Sequence, residues 1–337
     1  MTASLVIAPQ WIGDAVMAEP MLAALAARGE QLCVAALPWV APVFEAMPSV
    51  GEVLVLPFAH GRLDWSARRA LAHRLRGRFQ SAYVLPNSLK SALVPWLARI
   101  ERRVGYLGES RWLLLNERLA KPEGRPPMVP FYGALAGGIA DDARPRLALA
   151  AARIDPVLAQ LGLARRRYWV FAPGAEYGPA KRWPSAHYAA LAHTLHAREG
   201  LPVLLLGSAK EAPLCEAIAA AAPGACRVLA GHTPLAAAMA LIAATRGVVS
   251  NDSGLMHVAA GFGTPQAAVF GSSSPEHTPP LNDRARVLWL AGRSDLSCIP
   301  CFARECRYGH YRCLQDIGPE RVAAALDEAA FGAPASG

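Results

Sequence analysis

Short aliphatic and β-branched runs alternate with longer segments of helical spacing along the whole chain. Leu5–Ala8, Leu32–Leu37, Val53–Leu56, Ala82–Leu85 and Arg103–Gly105 read as buried strands, with helices predicted over Ala15–Ala27, Ser66–Arg78 and Ser88–Ile100. A second alternation follows. Tyr168–Ala172, Val203–Leu206, Arg227–Leu229, Gly247–Ser250 and Ala267–Phe270 read as strands, separated by helices over Ser185–Arg198, Glu211–Ala221, Leu235–Ala244 and Gly254–Gly261. Strands separated by helices imply βαβ units, parallel sheets and right-handed crossovers. Between the two sets lies a stretch, 140–167, with Asp141-Asp142, Arg165-Arg166-Arg167 and two prolines, Pro145 and Pro156, that are expected to break helices. The pattern predicts an α/β chain of two Rossmann-like parallel-sheet domains, 1–160 and 161–318, facing a cleft. A C-terminal helix, Pro319–Phe331, and a flexible tail complete residues 319–337.

Composition narrows the class. Of 337 residues 53% are hydrophobic and 18% charged, which places the chain among globular proteins. No apolar run reaches the roughly 18–20 residues needed to span a bilayer, and the first residues lack the basic region of a signal peptide, so a cytoplasmic protein is expected. The net charge of +8 is uneven: residues 1–167 hold 21 Lys/Arg against 13 Asp/Glu, residues 168–337 hold 13 of each. A charge confined to one half fits an anionic partner, whether nucleic acid, a membrane surface or a phosphorylated acceptor. No nucleic-acid motif or aromatic–basic platform accompanies it, which argues against nucleic acid.

Ligands of open parallel sheets bind beyond the carboxyl ends of the strands, and four loops there carry chemistry. Pro9-Gln10-Trp11-Ile12-Gly13-Asp14 follows the first strand. Gly13 permits a tight turn, and Asp14 is either an N-cap or a carboxylate facing the ligand. The loop opening the second domain, 173–184, offers Gly174 and Gly178 with Lys181 and Arg182, a combination suited to a diphosphate. Ser250–His257 passes from strand to helix within four residues. Its helix start attracts anions, with His257 one turn further on. The fourth loop, 270–280, is long and polar. No G-x-G-x-x-G or Walker pattern occurs.

Taken in order, Gln10–Pro20, Leu85–Ala92, Arg103–Arg111, Pro173–Pro184, Ser250–Ala260 and Gly271–Pro280 resemble the lipopolysaccharide core heptosyltransferases, glycosyltransferase family 9. The run Asn-Asp-Ser-Gly-Leu-Met-His favours the enzyme adding the second heptose over the one adding the first. The resemblance implies a GT-B fold and an inverting transfer of heptose from ADP-heptose to the first heptose of the inner core, on a heptosyl-Kdo2-lipid A acceptor. It assigns Asp14 as the base and Lys181 as the phosphate lysine. Gly13, Glu176, Tyr177, Asp252, Ser253, Gly254 and His257 fall in the donor site, with Glu211 as a ribose contact. Asn87, Ser88 and Lys90 fall in the acceptor site. No cofactor is implied for catalysis, and contact with the cytosolic face of the inner membrane is expected. Other readings on the same fold are a heptosyltransferase for a different acceptor or a nucleotide-sugar epimerase; a small-molecule binding protein is the non-enzyme alternative. One cluster lies outside the shared motifs: Cys298-x2-Cys301-x4-Cys306-x6-Cys313, with His310 close by, is a candidate structural zinc site. Reduced thiols in a packed loop are its plainer reading.

Overall fold

The computed structural model describes residues 2–58 and 63–332; the tail over 333–337 lies outside them. Two compact units form, one ending at Ala148 and the other beginning at Leu149. In the first, β1 (Thr2–Ile7), β2 (Glu30–Ala36), β3 (Glu52–Val55), β4 (Ser81–Val84), β5 (Arg102–Tyr106) and β6 (Glu117–Leu119) make a parallel sheet in the order β3-β2-β1-β4-β5-β6. In the second, β7 (Trp169–Ala172), β8 (Val203–Leu205), β9 (Cys226–Val228), β10 (Val248–Asn251), β11 (Gln266–Val269) and β12 (Ala285–Leu288) are also all parallel, in the order β12-β11-β10-β7-β8-β9.

Numbered within each unit, both sheets run 3-2-1-4-5-6, the doubly wound order. Strand order therefore reverses beside β1 and β4 in one unit and beside β7 and β10 in the other. The two innermost strands explain why the pattern was readable: every residue of β4 and β7 is buried, as in a sheet covered on both faces. The helix Pro319–Phe331 covers the second sheet, burying Val322 and Leu326, each worth about 1.5–3 kcal/mol. Gly247 precedes β10 because a Cβ there would meet the Trp169 ring and Leu326.

Four expectations change in detail. The helix expected over Ala15–Ala27 is two, Ile12–Met17 and Glu19–Ala27, with Pro20 in the first turn of the second, where its missing N–H costs nothing. The unit boundary precedes the expected residue 160, because the helix Ala151–Leu161 packs on Leu235–Ala244 of the second unit; Pro156 sits inside this helix without ending it. Strands β6 and β12 were not expected; both are short edge strands that carry a charged residue, Glu117 and Arg118 in one and Arg286 in the other. The helix expected over Ser66–Arg78 spans Trp65–Leu75, and it buries Arg68 along with Leu71, Ala72 and Leu75.

Candidate functional site

In the first unit the loops leaving β1 and β4 run side by side at the point of strand reversal, joined by Leu85 N donating to Ile7 O at 3.2 Å. Trp11 is the N-cap of the helix Ile12–Met17 and makes no side-chain cap bond. Asp14 is its third residue, so capping is not its role. The Asp14 carboxyl accepts a hydrogen bond from the Tyr132 hydroxyl, and burial pushes its pKa up to about 6 against that bond. Glu19, in the next helix, is pushed up to about 7 by burial, although Arg146 N donates to it at 2.9 Å.

The expected acceptor residues sit in the second of these loops. Asn87 Oδ1 accepts from Arg111 Nη2 at 3.0 Å. Arg111 is completely buried, and its guanidinium also bonds the carbonyls of Pro86 and Tyr106, so one side chain from beyond β5 fixes the loop after β4. Ser88 caps the helix Leu89–Leu97 at the backbone level, while its hydroxyl is buried without a hydrogen-bond partner among the described residues. Lys90 lies in the first turn, with its carbonyl held by Arg68 Nη1 at 2.9 Å.

In the second unit the corresponding reversal carries Tyr177, Lys181, Asp252, Ser253, Gly254 and His257 of the expected donor residues, whereas Gly13 lies in the first unit, in the helix Ile12–Met17 beside Asp14. Lys181 ends a short 3-10 turn, Pro179–Lys181, after β7. Its ammonium pairs with Asp252 Oδ2 at 2.5 Å and lies 5.1 Å from the Tyr177 ring centre. Thr278 donates to the other Asp252 oxygen at 3.4 Å. Ser253 is the N-cap of the helix Gly254–Gly261, and His257 is buried one turn on. Burial holds the His257 pKa down at about 4; Asp252 opposes this and Lys181 adds to it, so the imidazole is neutral at pH 7. Around this cluster the hydroxyls of Ser250, Ser253, Ser272 and Ser273 are buried with no hydrogen-bond partner among the described residues. Orphaned hydroxyls cost roughly 1–3 kcal/mol each, and four at the ends of β10 and β11 mark a place built for an oxygen-rich ligand.

Two further residues expected in the donor site, Glu176 and Glu211, sit apart from this cluster. Glu176 is exposed and faces Lys210 at 3.6 Å. Glu211 lies after β8, where its Oε2 closes a capping box with the N–H and hydroxyl of Ser208, at 2.7 and 2.9 Å. Its carboxylate occupies the space where Gly174 would carry a Cβ, which places it on the backbone of the loop after β7.

Pattern reading missed the residues that hold the clusters in place. Asn251, fully buried at the end of β10, donates to Pro173 O at 2.6 Å and accepts from Trp183 N at 2.9 Å and the Tyr188 hydroxyl at 3.1 Å. It thereby ties the phosphate loop to the strand beside it. Tyr132 lies in a segment that no pattern marked, whereas Asn251 stands beside Asp252 and Thr278 in the polar loop 270–280, where only the neighbourhood offered a signal.

The cysteine loop packs under the same phosphate loop. Arg304 Nε donates to Tyr177 O at 2.8 Å, Ala180 N to Arg304 O at 3.0 Å, and Phe302 N to Ser272 O at 2.7 Å. Cys298, Cys301, Cys306, His310 and Cys313 line one pocket with Ala180 and Ser272. They do not form a zinc ligand set. Among the described residues no group of three or more His, Cys, Asp or Glu is arranged to hold an ion. Cys306 Sγ lies 4.0 Å from His310 Nδ1, a nitrogen that already accepts from Arg312 N at 3.0 Å. The segment thus packs directly against the loop that carries Tyr177 and Lys181.

Residues 68–312 match the family model of glycosyltransferase family 9 (heptosyltransferase). The chain is 43% identical to lipopolysaccharide heptosyltransferase 2 of Escherichia coli, over 94% of this chain and 95% of that one. It is 39% identical to lipooligosaccharide heptosyltransferase 2 of Haemophilus influenzae, over 96% and 98%. The solved structure of E. coli ADP-heptose LPS heptosyltransferase II superposes with a TM-score of 0.85 at 38% identity, covering 98% of this chain and 99% of that one.

Proposed function

Since the chain belongs to glycosyltransferase family 9, the heptosyltransferases of GT-B fold, we propose that it transfers heptose from ADP-heptose to the first heptose of the lipopolysaccharide inner core, with inversion. The observation that carries this reading is the second-unit cluster: Lys181 paired with Asp252 at the strand reversal, beside the helix start at Ser253, with four serine hydroxyls buried without partners at the ends of β10 and β11.

In this reading each group of residues has its own part in the chemistry. Asp14 takes the proton of the acceptor hydroxyl as its oxygen bonds to the anomeric carbon. The bond from that carbon to the β-phosphate oxygen breaks on the opposite face, and ADP leaves with the electron pair. General-base help of this kind is worth roughly 10²–10⁴-fold. Charge building on the departing phosphate is met by Lys181 and by the first-turn N–H groups of the helix Gly254–Gly261, fixed before reaction begins. Neutral His257 can donate or accept a hydrogen bond there without adding charge. Glu211 serves the ribose beside the Gly174 backbone, and Glu176 and Tyr177 flank the phosphates through their backbone. Asn87, Ser88 and Lys90 hold the acceptor. No step requires a metal or cofactor, and the cysteine pocket contributes support under the phosphate loop; a zinc there would have to draw the thiols into a new arrangement. No helix among the described residues is long and apolar enough to cross a membrane. In this reading the lipid-anchored acceptor is met by peripheral contact at the cytoplasmic face of the inner membrane.

Purified protein should form heptosyl product from ADP-heptose and a heptosyl-Kdo2-lipid A acceptor, and UDP-sugars should compete poorly. Transfer that UDP-sugars support equally well, or ADP-heptose consumption without an acceptor, would replace this assignment with another enzyme of the fold.

A further inference from the structure

Five of the eight tryptophans are exposed, and all five, Trp11, Trp39, Trp65, Trp96 and Trp112, belong to the first unit. A parallel sheet gathers the loops that follow its strands at one edge. Trp11 after β1 and Trp39 after β2 therefore share the carboxyl edge with Asp14, on adjacent strands. Trp11 is 60% exposed and stands three residues before Asp14. Trp39 is 42% exposed, and its Nε1 donates to Gln10 O at 3.0 Å, in the loop that carries Trp11. That bond fixes one indole against the loop of the other.

We propose that Trp11 and Trp39 form the stacking platform for the acceptor saccharide, holding its ring so that the attacking hydroxyl meets Asp14. The inference rests on the reading of Asp14 as the base. A base must lie within about 2.6–3.2 Å of the proton it removes, so the acceptor ring has to lie over the loop 10–14. A pyranose presents apolar C–H faces bordered by hydroxyls, and an indole face is the matching surface. Sites for such ligands pair aromatic walls with a few placed polar groups, here Asp14 and Asn87. Lipid is the other occupant that exposed tryptophans could meet. Interfacial tryptophans keep the ring N–H toward headgroups, whereas the Trp39 N–H is spent on the protein backbone.

The test uses the full chain and two readouts. Trp11→Ala should raise the KM for acceptor at least tenfold with the KM for ADP-heptose within about twofold, and Trp11→Phe should recover most of the loss. Trp39→Phe keeps a ring but loses the bond to Gln10, and should show an intermediate acceptor KM. In a Trp65→Phe, Trp96→Phe, Trp112→Phe background, delipidated heptosyl-Kdo2 saccharide should shift the indole emission, and vesicles free of acceptor should not. An unchanged acceptor KM in Trp11→Ala overturns the platform, as does emission that responds to vesicles and not to saccharide. Asp14→Ala separates the two readings: full activity there removes the base, while an inactive Asp14→Ala beside a normal Trp11→Ala removes the platform alone.

Discussion

A carboxylate that must accept a proton is useful only when ionised, and burial works against that at Asp14. Its pKa rises from 3.8 to about 6, so the proposed base is competent above that value. We expect kcat/KM to fall about tenfold per pH unit below 6, and Asp14→Ala to lose at least 10²-fold in kcat with ADP affinity nearly unchanged. The same shift has a stability consequence of opposite sense. The folded state holds this proton more tightly than the unfolded chain, so the contribution is full below 3.8 and lost as pH rises through about 6. Asp14→Asn should therefore gain on the order of 2 kcal/mol at pH 7.5 and nothing at pH 4, read by denaturant melts. Glu19 rises into the same range, and Glu19→Gln discriminates: it should keep the acid limb of kcat/KM, and a lost limb would move the base to Glu19. Thiol reactivity is a second residue-scale test. Burial pushes Cys33, Cys215, Cys226 and Cys313 up to about 11 or 12. At Cys306 burial acts in the same sense but is outweighed by N–H groups of Tyr311, Tyr308, His310 and Gly309, which lower it. Cys306 should alkylate first at pH 7, and Cys306→Ser should remove the fast phase; uniform slow reaction of all seven would contradict this. Asp14 and Lys181 were legible because each stands in a strand-to-helix loop of distinctive composition. Tyr132 and Asn251 were not, because a hydrogen-bond partner far along the chain leaves no local pattern.

At the level of elements, the central strands and the helices between them were readable because burial on both faces writes a continuous apolar run. The edge strand β6 carries no such mark: it reads Glu-Arg-Leu, and Glu117 spends its charge on Arg102 at 2.7 Å. The support of the phosphate loop was equally hidden, since the Cys298–Cys313 segment looks like a metal motif and acts in this structure as a brace. Gly178 is where loop and brace meet. Its φ is +154°, and a Cβ there would run into the Arg304 carbonyl, whose other partner is Ala180 N. Gly178→Ala must therefore displace the turn that presents Lys181 or the segment beneath it. ADP affinity should drop at least tenfold by calorimetry while far-UV circular dichroism stays as in the parent. Lys181→Ala should lose a comparable amount, roughly 1.5–3 kcal/mol for a charge-assisted phosphate contact. If Gly178→Ala binds ADP as tightly as the parent, the brace does not set the position of Lys181.

For the whole molecule the uneven charge is the feature that the sheets and sites do not use. The excess of cations lies before residue 168, and the structure sorts those on the basic helix into occupied and available ones. Arg68 is buried against the Phe58 ring and bonds the carbonyls of Leu63 and Lys90, and Arg78 pairs with Glu52 at 2.9 Å. Arg69, Arg74 and Arg76 remain exposed, the first two on the helix and Arg76 at its C-cap. An enzyme whose acceptor is anchored in an anionic leaflet gains by concentrating there, and each cation near such a surface adds about 1 kcal/mol. Three of them amount to on the order of a hundredfold in partition, a gain that salt should screen because all three sit in water. Changing Arg69, Arg74 and Arg76 together to Gln should thus release the protein from anionic vesicles. It should raise the KM for membrane-embedded acceptor and leave turnover of a delipidated acceptor untouched. The split between the two acceptors is the decisive reading. A loss shared by both would mean that these arginines support the fold, and vesicle binding indifferent to salt and to the triple change would place membrane contact elsewhere on the chain.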